Sequence, residues 1–227
     1  MTLNATSNGK SITQVLADTV PVTPAVRVMV SPPNFQTAAL RITGTSPYMQ
    51  AKFSEKTKQA MAAKMAAGST GKKGVARSAR DFDADFLAAQ HRSVEGWVGI
   101  PAAALRNACI DACRMVGFQM TRAKMSIFVE ADGFDAGDGT PLVRLDAAEP
   151  ERSEMMTRNA TGVVDIRVRP MWRTWGADIR VTFDADQFTA GDMVNLLARA
   201  GIQVGIGEGR PFSKSSAGLG FGLFRVE

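Results

Sequence analysis

The last stretch of the chain, Gly201 to Glu227, constrains the fold most. It reads GIQVGIGEGRPFSKSSAGLGFGLFRVE. Two apolar runs, Ile202–Ile206 and Leu223–Val226, are expected as strands flanking a loop dense in Gly and Ser. The loop carries Arg210 and Lys214, with no acid between Glu208 and the final Glu227. Glycine lets backbone N–H groups approach a ligand and adopt positive φ. Successive N–H groups beside a cation make a cradle for phosphate oxygens. The other reading is a hairpin turn whose glycines serve only a tight bend.

Strands precede this stretch. Leu40, Ile42 and Gly44 alternate with Arg41 and Thr43; Val164, Ile166 and Val168 alternate with Asp165, Arg167 and Arg169; Ile179, Val181 and Phe183 alternate with Asp178, Arg180 and Thr182. Period-two alternation is the pattern of a half-buried strand. The latter two runs are expected to pair with each other, and the Arg167/Arg169 face to be basic. Met125–Val129 and Pro141–Leu145 read as further strands around a Gly/Asp turn holding Asp132, Asp135 and Asp138, whose spacing does not match a calcium loop. Glu149–Thr161 reads as charged and irregular.

Helices are expected after Pro101 and after Thr189. Pro suits a first helical turn, and Leu105, Ala108, Cys109, Ala112 and Val116 form a stripe. Thr189-Ala190-Gly191-Asp192 resembles a capping box with Asp in place of Glu, and Gly201 is expected to end that helix. Phe53–Met65 is rich in helix formers. Helices on one face of an antiparallel sheet indicate an α+β domain.

The chain has 227 residues and a net charge of +5, with 45% hydrophobic and 22% charged residues, the composition of a soluble globular protein. No apolar run reaches membrane-spanning length, and no signal-peptide core opens the sequence. The expectation is a cytoplasmic protein (in the host cytoplasm if phage-encoded) without a membrane partner. Between Lys52 and Arg80 the bases Lys52, Lys56, Lys58, Lys64, Lys72, Lys73, Arg77 and Arg80 face one acid, Glu55. Clustering of one sign raises the case for phosphate contact. Residues 1–34 are Pro-punctuated and read as a partly disordered N-terminal arm, either a tail or a docking segment.

Two cysteines, Cys109 and Cys113, and one histidine, His91, exclude a Cys/His zinc site, and no cofactor is expected. Both cysteines read as small buried residues. His91 is either an inert polar residue or a general acid/base for RNA cleavage. Tyr48, the only tyrosine, either stacks on a base or caps the core; the same alternatives hold for Trp172 and Trp175.

Three features together resemble the RAMP proteins of CRISPR systems, which include effector backbone subunits and crRNA-processing endonucleases. Ile100-Pro101-Ala102-Ala103-Ala104-Leu105-Arg106 looks like the family's Ile-Pro-initiated helix, with Ala102 and Ala103 where the family often has Gly and Ser. Gly201–Gly207 resembles the strand after its last helix. Arg210-Pro211 and Gly218–Phe224 resemble its C-terminal Gly-rich loop and closing strand. The resemblance covers roughly Leu40 to Glu227 and fits a stand-alone phage or mobile-element relative as well.

It implies a ferredoxin-like (RRM-like) domain over 35–227, with a basic thumb or finger insertion at 52–92. It implies backbone binding of single-stranded RNA or DNA and assembly of similar subunits along the strand as a homo-oligomer. The expected binding residues are Arg210, Ser213, Lys214, Ser215, Gly218 and Gly220 of the loop, Lys72, Lys73, Arg77 and Arg80 of the insertion, and Arg106, Arg167 and Arg169. No residue is expected to be catalytic. The rival readings are a structural protein of a mobile element and a metal-independent RNA endonuclease using His91.

Overall fold

The computed structural model describes residues 30–53, 59, 62–63, 66, 81–158, 164–212 and 218–227. The chain divides into two units, Met1–Pro33 and Asn34–Glu227. The N-terminal arm falls largely outside the described residues, as do most of the basic insertion and the helix expected at Phe53–Met65. The second unit mixes helices with antiparallel sheets, an α+β architecture.

Its centre is a four-stranded antiparallel sheet. β1 (Phe35–Gly44) pairs along nine positions with β9 (Gly176–Asp184), from Phe35 opposite Asp184 to Thr43 opposite Gly176. β4 (Ile127–Val129) lies on the outer side of β9, and β10 (Phe224–Val226) on the outer side of β1, giving the order β10-β1-β9-β4. Alternation makes the sheet two-faced: Ala177, Ile179, Val181 and Phe183 are buried, while Asp178 and Arg180 are exposed.

Two helices cover the buried face. α2 (Ala102–Ala112) starts directly after Pro101 and buries Leu105, Ala108, Cys109 and Ala112. It gives way to a 3-10 turn at Cys113–Val116, which leaves Val116 exposed instead of continuing the stripe. α4 (Ala190–Arg199) opens with the capping box read from sequence. Thr189 Oγ1 accepts from Asp192 N at 3.1 Å, and Thr189 N donates to Asp192 Oδ2 at 2.9 Å; such a cap contributes about 1 kcal/mol. Met193, Leu196 and Leu197 turn inward to meet Ile42, Ile179, Phe224 and the α2 stripe in one core.

Two three-stranded sheets flank this body. One contains β2 (Tyr48–Met49), β8 (Val164–Trp172) and β7 (Glu151–Arg158). The other contains β3 (Gly99–Pro101), β6 (Pro141–Arg144) and β5 (Gly133–Phe134). Two short helices complete the set, α1 (Phe82–Ala88), capped by Asp81, and α3 (Met120–Ser126).

Four expectations are corrected. β8 and β9 do not pair with each other: at Trp172–Gly176 the chain leaves one sheet for another, and β9 takes β1 as partner. Alternation identifies a half-buried strand but carries no information on its neighbour. Within the Glu149–Thr161 segment, Glu151–Arg158 is not irregular but forms β7 at the edge of its sheet, where charged side chains reach water, and 159–161 lie outside the described residues. The strand expected from Met125 begins at Ile127, since α3 runs on through Ala123, Lys124 and Met125, all good helix formers. Ile202–Val204 is not a strand either: α4 continues as a π-helical turn, Ala200–Val204, past Gly201.

Tyr48, Trp172 and Trp175 all lie in the interior, each at most 3% exposed. Tyr48 stacks on Trp172 with ring centroids 5.7 Å apart and meets Trp175 at 5.2 Å. The indole N–H groups donate to Ala148 O at 3.0 Å and to Ser46 O at 2.8 Å, so neither polar edge is left unpaired. These aromatics cap the core and offer no ring to a ligand. Both cysteines are buried, and burial pushes the Cys109 thiol up to about 12.

Candidate nucleic-acid interface

The C-terminal loop is built from two glycine ladders. Gly205, Gly207 and Gly209 form the outgoing run and Gly218, Gly220 and Gly222 the returning one, all at positive φ. The runs face each other: Ile206 N donates to Gly222 O at 3.0 Å and Phe221 N to Gly209 O at 3.2 Å. The pair is tied to the segment after β1, with Gly222 N on Pro47 O at 2.7 Å and Glu208 N on Met49 O at 2.9 Å.

The glycines differ in what they meet. A Cβ on Gly222 would overlap the Ile206 carbonyl, so that glycine is required by packing. A Cβ on Gly218 or Gly220 would meet nothing within 4 Å, yet both residues hold positive φ. Their requirement is conformational, set by the positive φ.

Three guanidinium groups converge on the four residues 207–210. Arg169 Nε donates to Glu208 Oε2 at 2.6 Å and Arg167 Nη1 to Glu208 Oε1 at 3.3 Å. Arg210 folds back on its own loop, donating to Gly207 O at 3.0 Å and Phe212 O at 3.2 Å. The basic face of β8 and the glycine-rich loop, about forty residues apart, are therefore one surface. Glu208 joins them, and sequence reasoning passed over it as merely the last acid before the loop.

The other expected residues fall elsewhere. Arg106 sits by β4, at the opposite edge of the sheet from β10. Its Nε donates to Ile127 O at 2.8 Å, it also bonds Lys124 O, and it lies 5.3 Å from the Phe128 ring centroid. It closes the junction of α3 and β4. Lys72, Lys73, Arg77, Arg80, Ser213, Lys214 and Ser215 lie outside the described residues.

The solvent face of the four-stranded sheet is charged but self-paired. Arg41 bonds Asp146 and Asp178. Arg180 bonds Glu130 at 2.9 Å and Asp132 at 3.0 Å. Hydrogen bonds from Thr182 and Arg180 hold the Glu130 carboxyl below its usual range. A groove of about 620 Å³ runs here, lined by Arg41, Arg144, Arg180, Asp132, Asp146 and Asp178 among others, and its acids match its bases in number. A polyanion gains little from such a surface.

A third cluster was not expected from the sequence. Asp135, at the β5–β6 turn, has a fully buried side chain. His91 Nδ1 lies 3.0 Å from Asp135 Oδ2, and Lys52 bonds Oδ1, with side chains only 15% and 12% exposed. Gly137 N adds a bond to Oδ1 at 2.8 Å. Burial pushes the Asp135 carboxyl up, but the bonds from Lys52, Gly137 and His91 outweigh it and leave it below the ordinary carboxylate value. Burial likewise lowers His91, and the Asp135 bond recovers only part of that.

Lys52 opens the expected insertion at 52–92 and His91 stands one residue before its far end, so Asp135 closes its root. Lys52 N on Ala89 O at 3.1 Å, and His91 N on the buried Gln50 Oε1 at 2.9 Å, complete the closure. The usable signal in the sequence was Asp135-Ala136-Gly137, where Asp bonds the backbone two residues on.

Among the described residues no group of His, Cys, Asp or Glu is arranged to hold a metal ion, and no helix is long and apolar enough to cross a membrane. Comparison with protein-family models and with curated proteins returns no match.

Proposed function

We propose that this chain is a non-enzymatic, single-stranded nucleic-acid-binding protein that grips the backbone of RNA or DNA. One observation carries the reading: Arg167 and Arg169 of β8 meet the glycine-rich loop at Glu208, beside Arg210, so that three guanidinium groups gather at one end of that loop. Guanidinium groups are the donors that phosphate oxygens take, and a glycine-rich loop lets backbone approach them closely. The basic insertion would supply the second half of the clamp through Lys72, Lys73, Arg77 and Arg80, and Ser213, Lys214 and Ser215 would extend the loop's contacts.

The element order strand–helix–strand–strand–helix–strand (β1, α2, β4, β9, α4, β10), with sheet order β10-β1-β9-β4, supports a ferredoxin-like domain. Together with the Ile100–Arg106 helix start it supports kinship with the RAMP proteins, and with it assembly of like subunits along a strand in the cytoplasm. Binding should be weakly sequence-specific and steeply salt-dependent. Fluorescence-anisotropy titration of single-stranded RNA and DNA over a range of salt tests this. No binding at low salt, or an affinity indifferent to salt, would sink it.

The Asp135–His91 pair favours one second reading, because a carboxylate on Nδ1 orients an imidazole for proton transfer. On that reading the chain is a metal-independent RNA endonuclease. RNA incubated with wild type and with His91→Ala separates the two: cleavage lost only in the variant supports the enzyme, and identical outcomes reject it.

A further inference from the structure

Glu208 places one carboxylate between two guanidinium groups. Glu208 and Arg169 are each 19% exposed, a partly buried pair that salt screens less, while Arg167, 36% exposed, stands at the solvent side. Each guanidinium carries about five N–H donors. Among the described residues Arg167 commits one, to Glu208, and Arg169 commits two, to Glu208 and to Val168 O. The trio keeps a surplus positive charge and a surplus of donors.

A phosphodiester offers what the Glu208 carboxylate offers: two anionic oxygens for a guanidinium fork. The backbone of Glu208 is held at Met49 O, while its side chain rotates about its own bonds. The carboxylate can therefore leave the arginines without the loop moving. We infer that Arg167 and Arg169 form a phosphate site and that Glu208 is its built-in competitor, occupying the site until a strand phosphate displaces it. This rests on the nucleic-acid-binding reading and gives that reading a regulator. A lone small anion competes poorly with a tethered carboxylate, whereas a strand held at several other points presents its phosphate at high effective concentration.

The test compares the full chain with Glu208→Gln, which keeps the side-chain volume and removes the charge. Glu149→Gln removes the same charge from an exposed site elsewhere and sets the electrostatic baseline. Two readouts are taken: anisotropy with a labelled single-stranded RNA across salt concentrations, and melting temperature against inorganic phosphate. Relative to Glu149→Gln, Glu208→Gln should bind the strand about tenfold more tightly at moderate salt, with a salt slope steeper by about one. Phosphate should raise its melting temperature and leave wild type nearly unmoved. Adding Arg167→Ala and Arg169→Ala should abolish both gains.

If Glu208→Gln matches Glu149→Gln in both assays, the inference is overturned. If no variant binds the strand but phosphate still stabilises Glu208→Gln alone, the competitor role stands and the nucleic-acid reading falls. If Glu208→Gln does not fold, Glu208→Asp replaces it. Its shorter side chain withdraws the carboxylate, and it should show part of both gains; none at all would also overturn the inference.

Discussion

Asp135 Oδ2 lies 3.0 Å from His91 Nδ1, and this contact, with Ala136 N on Arg92 O at 2.9 Å, joins the far end of the basic insertion to the β5–β6 hairpin. The other carboxylate oxygen holds Lys52 at the near end. A single buried acid thus bonds side chains near both ends of a segment rich in Lys and Ala.

Removing that acid should be costly. Asp135→Ala leaves Lys52 without its carboxylate in a nearly buried position, and the expected loss of unfolding free energy is about 3 kcal/mol. His91→Gln removes one hydrogen bond and should cost about 1 kcal/mol. Urea unfolding followed by circular dichroism measures both. Equal losses, or a smaller one for Asp135→Ala, would refute the assignment of Asp135 as the closing residue.

The same cluster sets a pH dependence. His91 is the sole histidine, and burial, only partly offset by Asp135, holds its folded value below that of the unfolded chain. The unfolded state then binds the proton more readily, so stability is full above about pH 6.5 and falls as pH drops through the folded value. Asp135 is also depressed, so its contribution is lost at lower pH, below about 3.8. Wild type should lose urea resistance between pH 7 and 5, and His91→Gln should be flat across that window. Parallel pH profiles for the two proteins would contradict this.

Two glycines of the returning run should separate by cost. Gly222→Ala drives a Cβ into the Ile206 carbonyl at positive φ, and that variant should be strongly destabilised or fail to accumulate folded. Gly220→Ala meets only the left-handed penalty, about 1 kcal/mol. Thermal melts of the two variants decide it, and similar melting temperatures would mean that the packing against Ile206 adds nothing to the cost of positive φ.

Arg210 should act through both charge and shape. Arg210→Ala should weaken strand binding for all sequences alike and lower the salt slope by about one. Arg210→Lys keeps the charge but cannot reproduce the fork onto Gly207 O and Phe212 O, so affinity should fall while the slope is retained. Affinities unchanged in both variants would leave Arg210 as a loop-shaping residue only.

Local physics in the sequence determined a good deal of this protein. Thr189 and Asp192 announce a helix start because both halves of the capping box lie within four residues. Ile179, Val181 and Phe183 announce a half-buried strand because side chains alternate across a pleat. The glycine spacing from Gly205 to Gly222 announces backbone conformations closed to other residues. The first two signals are each complete within one turn or one strand, and the third within one loop.

Tertiary structure alone decided which elements meet. The alternation of β9 is indifferent to whether β8 or β1 lies beside it, and the choice fell to β1 through a nine-residue register. Arg167 and Arg169 reach Glu208 only because β2 pairs with β8 while Met49 carries the loop. Lys52, His91 and Asp135 meet only because the β5–β6 hairpin folds across the root of the insertion. Contacts between residues forty or more positions apart depend on how sheets pack, and no short-range periodicity encodes that.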